Sequence, residues 1–405
     1  MKKIQTDIVI LGVGIGGYEA FRTLSALLKK NKINKKILLV DQNSFFTFTP
    51  LLHEVASGDV NPTHATISIR ELIYKTDHSF LKARVKKILP NKKQIITDNG
   101  VVNYDQCITS LGSGVNYFGT PGAKQYTYNV KTAKEALSLK KNFFALLDKP
   151  KKEINLVVVG GGFTGVEVAM QFCDFIKKEA KLIYKEKHLS ITIIESGNKL
   201  TKFLPEKARN IITDHAKEMG ITVITNTRVS KVEKSSVTLN NGKQIKSDIT
   251  IWSTGCKNIA KELLTNKWLD KDRIPVNKYL QHKNEKSFYA IGDIALSYSG
   301  KDGACAPQLG EVAYHQGNYV AHHIINSIKN KKTKPFKFIS RGTLIPIGEW
   351  HGIAIFNNIV ISGKIAWWLR RTAYLLFLPG IMRKLQIVSD WSLRSIGFRP
   401  VINHD

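Results

Sequence analysis

The segment Ile10 to Leu24, ILGVGIGGYEAFRTL, has a near-copy at Val157 to Phe172, VVVGGGFTGVEVAMQF. In each, a β-rich apolar run stops on a G-x-G-x-x-G spacing and continues as a helical pattern. The glycines are Gly12, Gly14 and Gly17 in the first copy and Gly160, Gly162 and Gly165 in the second. No other feature constrains the fold as much. A strand, a tight turn and a helix N-terminus bring backbone N–H groups and the positive end of a helix to one point, where a pyrophosphate is stabilised. Two copies predict an α/β chain with two Rossmann-like units and two dinucleotides.

Each copy is followed by a second strand that ends on an acid. KKILLVD ends on Asp41, and LSITIIES reaches Glu195. A carboxylate at that distance accepts hydrogen bonds from adenosine ribose hydroxyls, which separates a ligand-binding turn from a bare tight turn. Two later strands carry further signals: DITIWSTG leads into Gly255, and KSFYAIGDIA sets Asp293 just after a strand and a glycine. The helix of the second copy runs on into a basic insert, DFIKKEAKLIYKEKHLS, which reads as solvated surface.

Composition narrows the remaining classes. A chain of 405 residues, 43% hydrophobic, buries a large core and is long enough for two or three domains. Its four cysteines form no CxxC pair, so neither a disulfide framework nor a metal site is signalled, and a reducing compartment is expected. Lys2 and Lys3 precede an apolar run that carries Asp7 and feeds straight into the first glycine turn, so the N-terminus reads as a strand and not as a signal peptide. No run approaches the roughly 18 apolar residues of a spanning helix, so any membrane contact is peripheral. The net charge of +29 is spread through the chain in runs such as KKNKINKK. No nucleic-acid motif accompanies it, and no nucleic-acid partner is expected; attraction to an anionic membrane stays open.

Taken together, these motifs resemble the flavoproteins that have two dinucleotide-binding domains, and the resemblance spans the whole chain. It implies FAD in the first turn, NADH in the second, and Asp293 at the flavin ribityl chain. It also implies a discontinuous FAD domain over 1–118 and 270–335, an NADH domain over 119–269 and a C-terminal region over 336–405. Where disulfide reductases of this superfamily carry a redox cysteine pair, this chain reads FFTFTPLLHEVASGDV, without cysteine. That stretch, which includes Pro50, is similar to type II NADH:quinone oxidoreductases, the single-subunit, non-proton-pumping respiratory enzymes. SLGSGVNYFGTPGA with Gly112, GGFTGVEVA with Glu167, and the IWSTG and FYAIGDIA stretches match the same family. The resemblance implies hydride transfer from NADH to noncovalent FAD, then two-electron reduction of a membrane quinone, with Glu167 as an orienting or proton-handling acid. A helix-dipole partner without chemistry is the other reading of Glu167.

One departure concerns the quinone side. The family usually shows Ala-Gln-x-x-x-Gln before Gln316 and Gly317, whereas this chain has Gly310, Glu311, Val312, Ala313, Tyr314 and His315. Glu311 and His315 therefore stand as candidate proton donors, His315 also fitting a hydrogen-bonded buried histidine. The alternatives are a sulfide:quinone oxidoreductase, which would need cysteines flanking the flavin, and a flavin- or nucleotide-binding sensor without turnover.

The C-terminal segment from Lys364 reads KIAWWLRRTAYLLFLPGIMRKLQIVSDWSLRSIGF. On a helix, Ile365, Trp368, Leu369, Thr372 and Leu376 share one face, with Arg370, Arg371 and Tyr374 toward the other. Pro379 and Gly380 are expected to break it. An apolar face flanked by arginine and aromatic side chains describes a helix lying in a membrane interface; a packed hairpin or a homodimer contact has the same composition. The resemblance favours the membrane, and with it a peripheral location on the cytoplasmic face of the inner (plasma) membrane. Lys331, Lys332, Lys334, Lys337, Arg341, Lys364, Arg370, Arg371, Arg383, Lys384, Arg394 and Arg399 outnumber Glu349, Asp390 and Asp405, and would add attraction to anionic lipid. On this reading, truncation near residue 360 removes membrane binding and leaves NADH-to-dye transfer intact. Glu195, with no arginine in the turn after it, predicts NADH over NADPH unless Lys199 folds back across the ribose.

Overall fold

The runs Ile8–Leu11 and Ile37–Val40 are buried on every residue, as strands covered on both faces of a parallel sheet must be. In a computed structural model of the chain, which describes residues 2–177, 186–300, 303–357, 359–378 and 380–395, they form the centre of the first sheet. Part of the basic insert (178–185), Pro379, Arg399, Asp405 and the Arg394 side chain lie outside the described residues, as does the expected break at Pro379. The chain divides into two compact units, one of residues 1–47, 66–114 and 256–340, the other of residues 48–65, 115–255 and 341–405.

In the first unit the sheet order is Gln281–His282, Glu285–Ala290, Gly100–Thr109, Lys3–Leu11, Ile37–Asp41 and Ser79–Lys82. The last five of these strands are parallel, and their registers align Leu11 with Val40 and with Thr109, and Thr109 with Ala290. Four chain segments therefore leave the sheet at one edge: Gly12, Asp41, Ser110 to Gly112, and Gly292 to Asp293. That carboxyl edge is where open α/β sheets bind ligands. The helix Ile15–Lys30 follows the turn at Gly12 and lies along the helix Gly310–Ile328.

The second unit repeats the plan. Its parallel sheet runs Thr127–Tyr128, Ile249–Trp252, Glu153–Val159, His188–Ile194 and Thr222–Ile224, with Val159 opposite both Ile194 and Trp252. Gly160, Glu195 and the Ser253 to Gly255 segment thus emerge together. The helix Ala133–Leu147 starts on a capping box between Thr132 and Glu135 and buries Leu139, Phe143, Phe144 and Leu147. Against it and against the helix Phe163–Phe175 packs a short helix, Leu52–Ser57, whose six residues are all buried.

Residues 341–395 add a three-stranded antiparallel sheet, Thr343–Pro346, Gly352–Phe356 and Ile359–Ser362, followed by the helices Lys364–Phe377 and Ile381–Ser395. Among the described residues no helix is long and apolar enough to cross a membrane.

Candidate functional site

The two glycine turns are close structural equivalents. Gly12 and Gly160 have φ of +85° and +107°, and a Cβ on them would meet Ser110 O at 2.5 Å and Ser253 O at 2.4 Å. Gly17 and Gly165 lie so near the preceding turn that a Cβ would stand 1.9 Å from Gly12 O and 2.0 Å from Gly160 O. Any side chain there would push the helix off the strand. Gly14 and Gly162, the N-caps, face open space and make no side-chain cap bond, so no capping side chain covers the first-turn N–H groups, the donors that an anion at a helix N-terminus uses.

The strand-terminal acids close both cradles in the same way. Asp41 accepts from Val13 N–H through Oδ2 and from Asn43 N–H through Oδ1, each at 2.7 Å. Glu195 accepts from Gly161 N–H through Oε2 at 2.7 Å and from Gly197 N–H through Oε1 at 2.6 Å. Burial raises the Asp41 pKa, and the two amides act against that. Lys199 turns away from Glu195, its Nζ lying 3.8 Å from Glu206 Oε1. Residues of the cradles thus fit two pyrophosphates and two riboses.

The other expected positions divide between the units. In the first, Asp293 Oδ2 accepts from the Ser113 hydroxyl at 2.6 Å beside Gly112, and Gln316 Oε1 accepts from Gly292 N–H at 2.7 Å. Glu311 opens the helix Gly310–Ile328, and His315 Nε2 lies 4.0 Å from its Oε1, one turn on. In the second unit, Gly255 takes φ of +103° at the end of its strand, and its carbonyl accepts from Asn116 N–H at 3.3 Å.

Glu167 belongs to a charged cluster buried in the second unit, most of which the sequence reading missed. Arg370 is 1% exposed; it donates to Glu54 Oε1 at 2.9 Å and to the Pro50 carbonyl at 3.5 Å. The other Glu54 oxygen accepts from Trp391 Nε1–H at 2.7 Å. Arg370 also lies 3.1 Å from His53 Nε2, and because a guanidinium can only donate, that nitrogen accepts. His53 then carries its proton on Nδ1, which faces Glu167 Oε2 at 4.0 Å. Burial acts to raise the Glu54 carboxyl, but Arg370 and Arg371 hold it down at about 2. For Glu167, burial wins: with only a partial offset from Arg370, and with Glu54 adding to the rise, its pKa is pushed up to about 7. One cluster therefore holds a carboxylate that stays ionised and a carboxyl that exchanges a proton near neutrality. The signal for it was the His-Glu pair inside PLLHEVASG, two polar, ionisable side chains in an apolar run.

The sequence from residue 6 to residue 317 matches the family model for pyridine nucleotide-disulphide oxidoreductases. The chain belongs to that family. Within it, the chain is similar to the demethylphylloquinone reductase NdbB of Synechocystis, at 27% identity over 412 residues and 98% of each chain. It is also similar to the type II NADH:quinone oxidoreductase of Haemophilus influenzae, at 26% identity over 408 residues, covering 89% of this chain and 90% of that one. The solved structure of NDH2 from Plasmodium falciparum in complex with NADH shares the fold, with a TM-score of 0.89 at 23% identity, covering 98% of this chain and all of that one.

In this member of the family the C-terminal helices are built differently from the expectation. The two faces of the helix Lys364–Phe377 are as read, but the arginine face is the buried one: Arg371 is 5% exposed, its guanidinium 3.6 Å from the centroid of Trp367 and 4.4 Å from that of Trp391. Arg370 stacks on Tyr374, centroid distance 4.5 Å. Neither arginine flanks an interface; both neutralise or stack on buried groups, because two buried carboxyls demand a counter-charge. Asp390 is buried as well, accepting from Asn61 N–H at 3.1 Å and lying 2.6 Å from His64 Nδ1. The apolar face is the exposed one, with Ile365, Trp368, Leu376, Ile381, Met382 and Leu385 more than half exposed. Among the described residues no three His, Cys, Asp or Glu side chains are gathered as a metal site.

Proposed function

We propose that the chain is an FAD-dependent type II NADH:quinone oxidoreductase. The observation that carries this reading is the pair of equivalent cradles, each closed by a carboxylate, in a chain of the pyridine nucleotide-disulphide oxidoreductase family. Gly12, Gly14 and Gly17 with the following helix N-terminus would hold the FAD pyrophosphate, Asp41 its adenosine ribose, and Gly112 and Asp293 its ribityl side. Gly160, Gly162 and Gly165 would hold the NADH pyrophosphate, and Glu195 the ribose, with Gly255 and Pro50 on neighbouring backbone. FAD supplies the chemistry of accepting a hydride and releasing two electrons.

The protein's own groups orient the substrates and handle protons. A Glu167 carboxyl at about 7 gives up and regains a proton at cellular pH, which suits the two protons a quinone takes up on reduction. His315 and Glu311 are assigned to the same task at the positions where relatives of this kind carry glutamines. The FAD domain is assigned to 1–118 and 270–335, the NADH domain to 119–269 and the membrane-binding region to 336–405.

Exposed Ile365, Trp368, Leu376, Ile381 and Leu385 on consecutive helices present an apolar face of the kind that lies in a lipid interface. We assign them to an anionic membrane surface on the cytoplasmic face of the inner membrane; a homodimer contact through the same face is the competing occupant. The sulfide reading finds no support in the two buried thiols. Burial pushes Cys107 up to about 12 and Cys173 up to about 11, so neither is a ready nucleophile.

The test is steady-state oxidation of NADH by the full chain with a short-chain quinone, together with acid release and mass measurement of the flavin. Quinone-dependent turnover and free FAD are expected. Turnover with sulfide and not NADH, FMN as the flavin, or nucleotide binding without turnover would each overturn the proposal.

A further inference from the structure

One histidine of the buried cluster turns a ring nitrogen toward each of its acids. His53 Nε2 lies 3.6 Å from Glu54 Oε1, and its Nδ1 lies 4.0 Å from Glu167 Oε2. The Arg370 guanidinium decides how the ring is used. One of its terminal nitrogens donates to Glu54 Oε1 at 2.9 Å, while the other lies 3.1 Å from His53 Nε2, closer than the carboxylate. Nε2 must accept, since a guanidinium has no lone pair to offer, and the ring's one proton is left on Nδ1. A second proton on Nε2 would set N–H against N–H and one cation beside another. The ring is also held in place: it is 2% exposed, on a short helix whose six residues are all buried, next to a Glu54 bonded on both oxygens.

A neutral imidazole fixed in this way donates and does not conduct. To pass a proton along the ring, Nε2 would have to bind one as Nδ1 gives one up, and Arg370 occupies that lone pair. What Nδ1–H can do is bond a carboxylate. The titratable and charged groups facing Glu167 are His53 and Glu54 from the helix Leu52–Ser57, and Arg370 and Tyr374 from the helix Lys364–Phe377. Arg370 draws Glu167 toward its charged form, Glu54 acts against that, and burial keeps Tyr374 neutral. His53 Nδ1–H is a donor aimed at Oε2. At 4.0 Å it stands beyond hydrogen-bond reach, and a negative charge on Glu167 draws it in, as catalytic hydrogen bonds tighten when the charge they serve develops.

We propose that His53 is the positioning residue of Glu167, a neutral donor locked in one tautomer by Arg370 that bonds the Glu167 carboxylate whenever it ionises and so makes its proton easier to release. Only the use to which that proton is put rests on the oxidoreductase reading. Without the bond, Glu167 holds its proton to a higher pH.

Two substitutions separate donation from packing. His53→Gln carries an amide oxygen to the place of Nε2, keeping an acceptor for Arg370, and leaves no donor at the place of Nδ1. His53→Asn does the reverse, carrying an amide N–H to the place of Nδ1. Urea unfolding of the full chain is measured from about pH 4 to about pH 9 for each, with and without Glu167→Gln. The stability gained on Glu167→Gln grows from pH 4.5, where the unfolded carboxyl ionises, and levels off where the folded one does. Levelling is expected near pH 7 in the parent and in His53→Asn, and about one unit higher in His53→Gln, a roughly tenfold harder ionisation and the size of a lost hydrogen bond to a charged group. The same shift should appear in the pH profile of NADH oxidation by a short-chain quinone. Nitrogen NMR of the parent with labelled histidine should show one ring, identified by its loss in His53→Asn, with its proton on Nδ1 throughout. An unmoved level in His53→Gln, equal shifts in the two variants, or a ring protonated on Nε2 would overturn the proposal and leave His53 as a packing contact. The urea and NMR measurements need no turnover, so they decide on His53 even if the parent fails to reduce quinone, an outcome that would overturn the oxidoreductase reading alone.

Discussion

Replacing Arg370 by methionine keeps most of the volume of a fully buried side chain and removes its charge. Glu54 would then lose its contact at 2.9 Å, keeping the Trp391 bond and the more distant Arg371. Removing one partner of a buried ion pair costs about 3–5 kcal/mol, because the other charge stays buried without compensation. The carboxyl gives a similar figure by another route. It sits at about 2 against an ordinary 4.5, and at about 1.4 kcal/mol per unit that is roughly 3 kcal/mol. Since the folded-state pKa is depressed, this stabilisation is complete above pH 4.5 and is lost as pH falls from there toward 2. Urea unfolding followed by tryptophan fluorescence measures the effect directly, because Trp391 is bonded to Glu54 and Trp367 and Trp391 lie against Arg371. Arg370→Met should lose several kcal/mol at pH 7, and Glu54→Leu added to it should recover most of the loss, since a buried pair is replaceable by apolar groups at little cost. A loss below about 1 kcal/mol, or a double variant less stable than either single one, would refute the reasoning. The same arithmetic reverses the truncation expectation: a chain cut near residue 360 loses Arg370, Arg371 and Trp391 together, and should misfold rather than remain an active soluble reductase.

Glu167→Gln should stabilise the protein at pH 8 and leave it unchanged at pH 4. A carboxyl raised to about 7 favours the fold below its ordinary 4.5, and that advantage is lost as pH rises through 7; urea midpoints at the two values check this, and equal shifts would contradict the assignment. The same variant should lower quinone reduction and flatten its pH profile near neutrality. Glu195→Gln should weaken NADH use and relatively improve NADPH use, because it removes a charge-assisted acceptor and a repulsive charge while Lys199 stays drawn to Glu206; comparing kcat/KM for both nucleotides decides it, and a parent that already prefers NADPH would overturn the role. Leu376→Glu with Ile381→Glu should abolish co-sedimentation with anionic vesicles and leave dye reduction intact, since both side chains are about three-quarters exposed; unchanged sedimentation would exclude this face as the membrane contact.

The sequence by itself determined the two sheets and both glycine cradles. Strand, glycine turn, helix and terminal acid are local features, each unit written in fewer than 45 consecutive residues, Lys3 to Asp41 and Glu153 to Glu195, and backbone sterics favour the same turn where that spacing occurs. Gly12 with Asp41 and Gly160 with Glu195 were therefore legible without coordinates. The helix faces at Ile365 to Leu376 were legible too, because helical periodicity is local. Which face is inside was not. That is decided by Glu54, more than 300 residues away, whose buried carboxylate needs Arg370 and Trp391 as partners. An amphipathic helix shows two faces in its sequence, but electrostatics chooses between them only when the chain has folded and a distant charge must be neutralised. The near-neutral pKa of Glu167 has the same origin: burial and proximity are properties of packing, and no spacing along the chain encodes them.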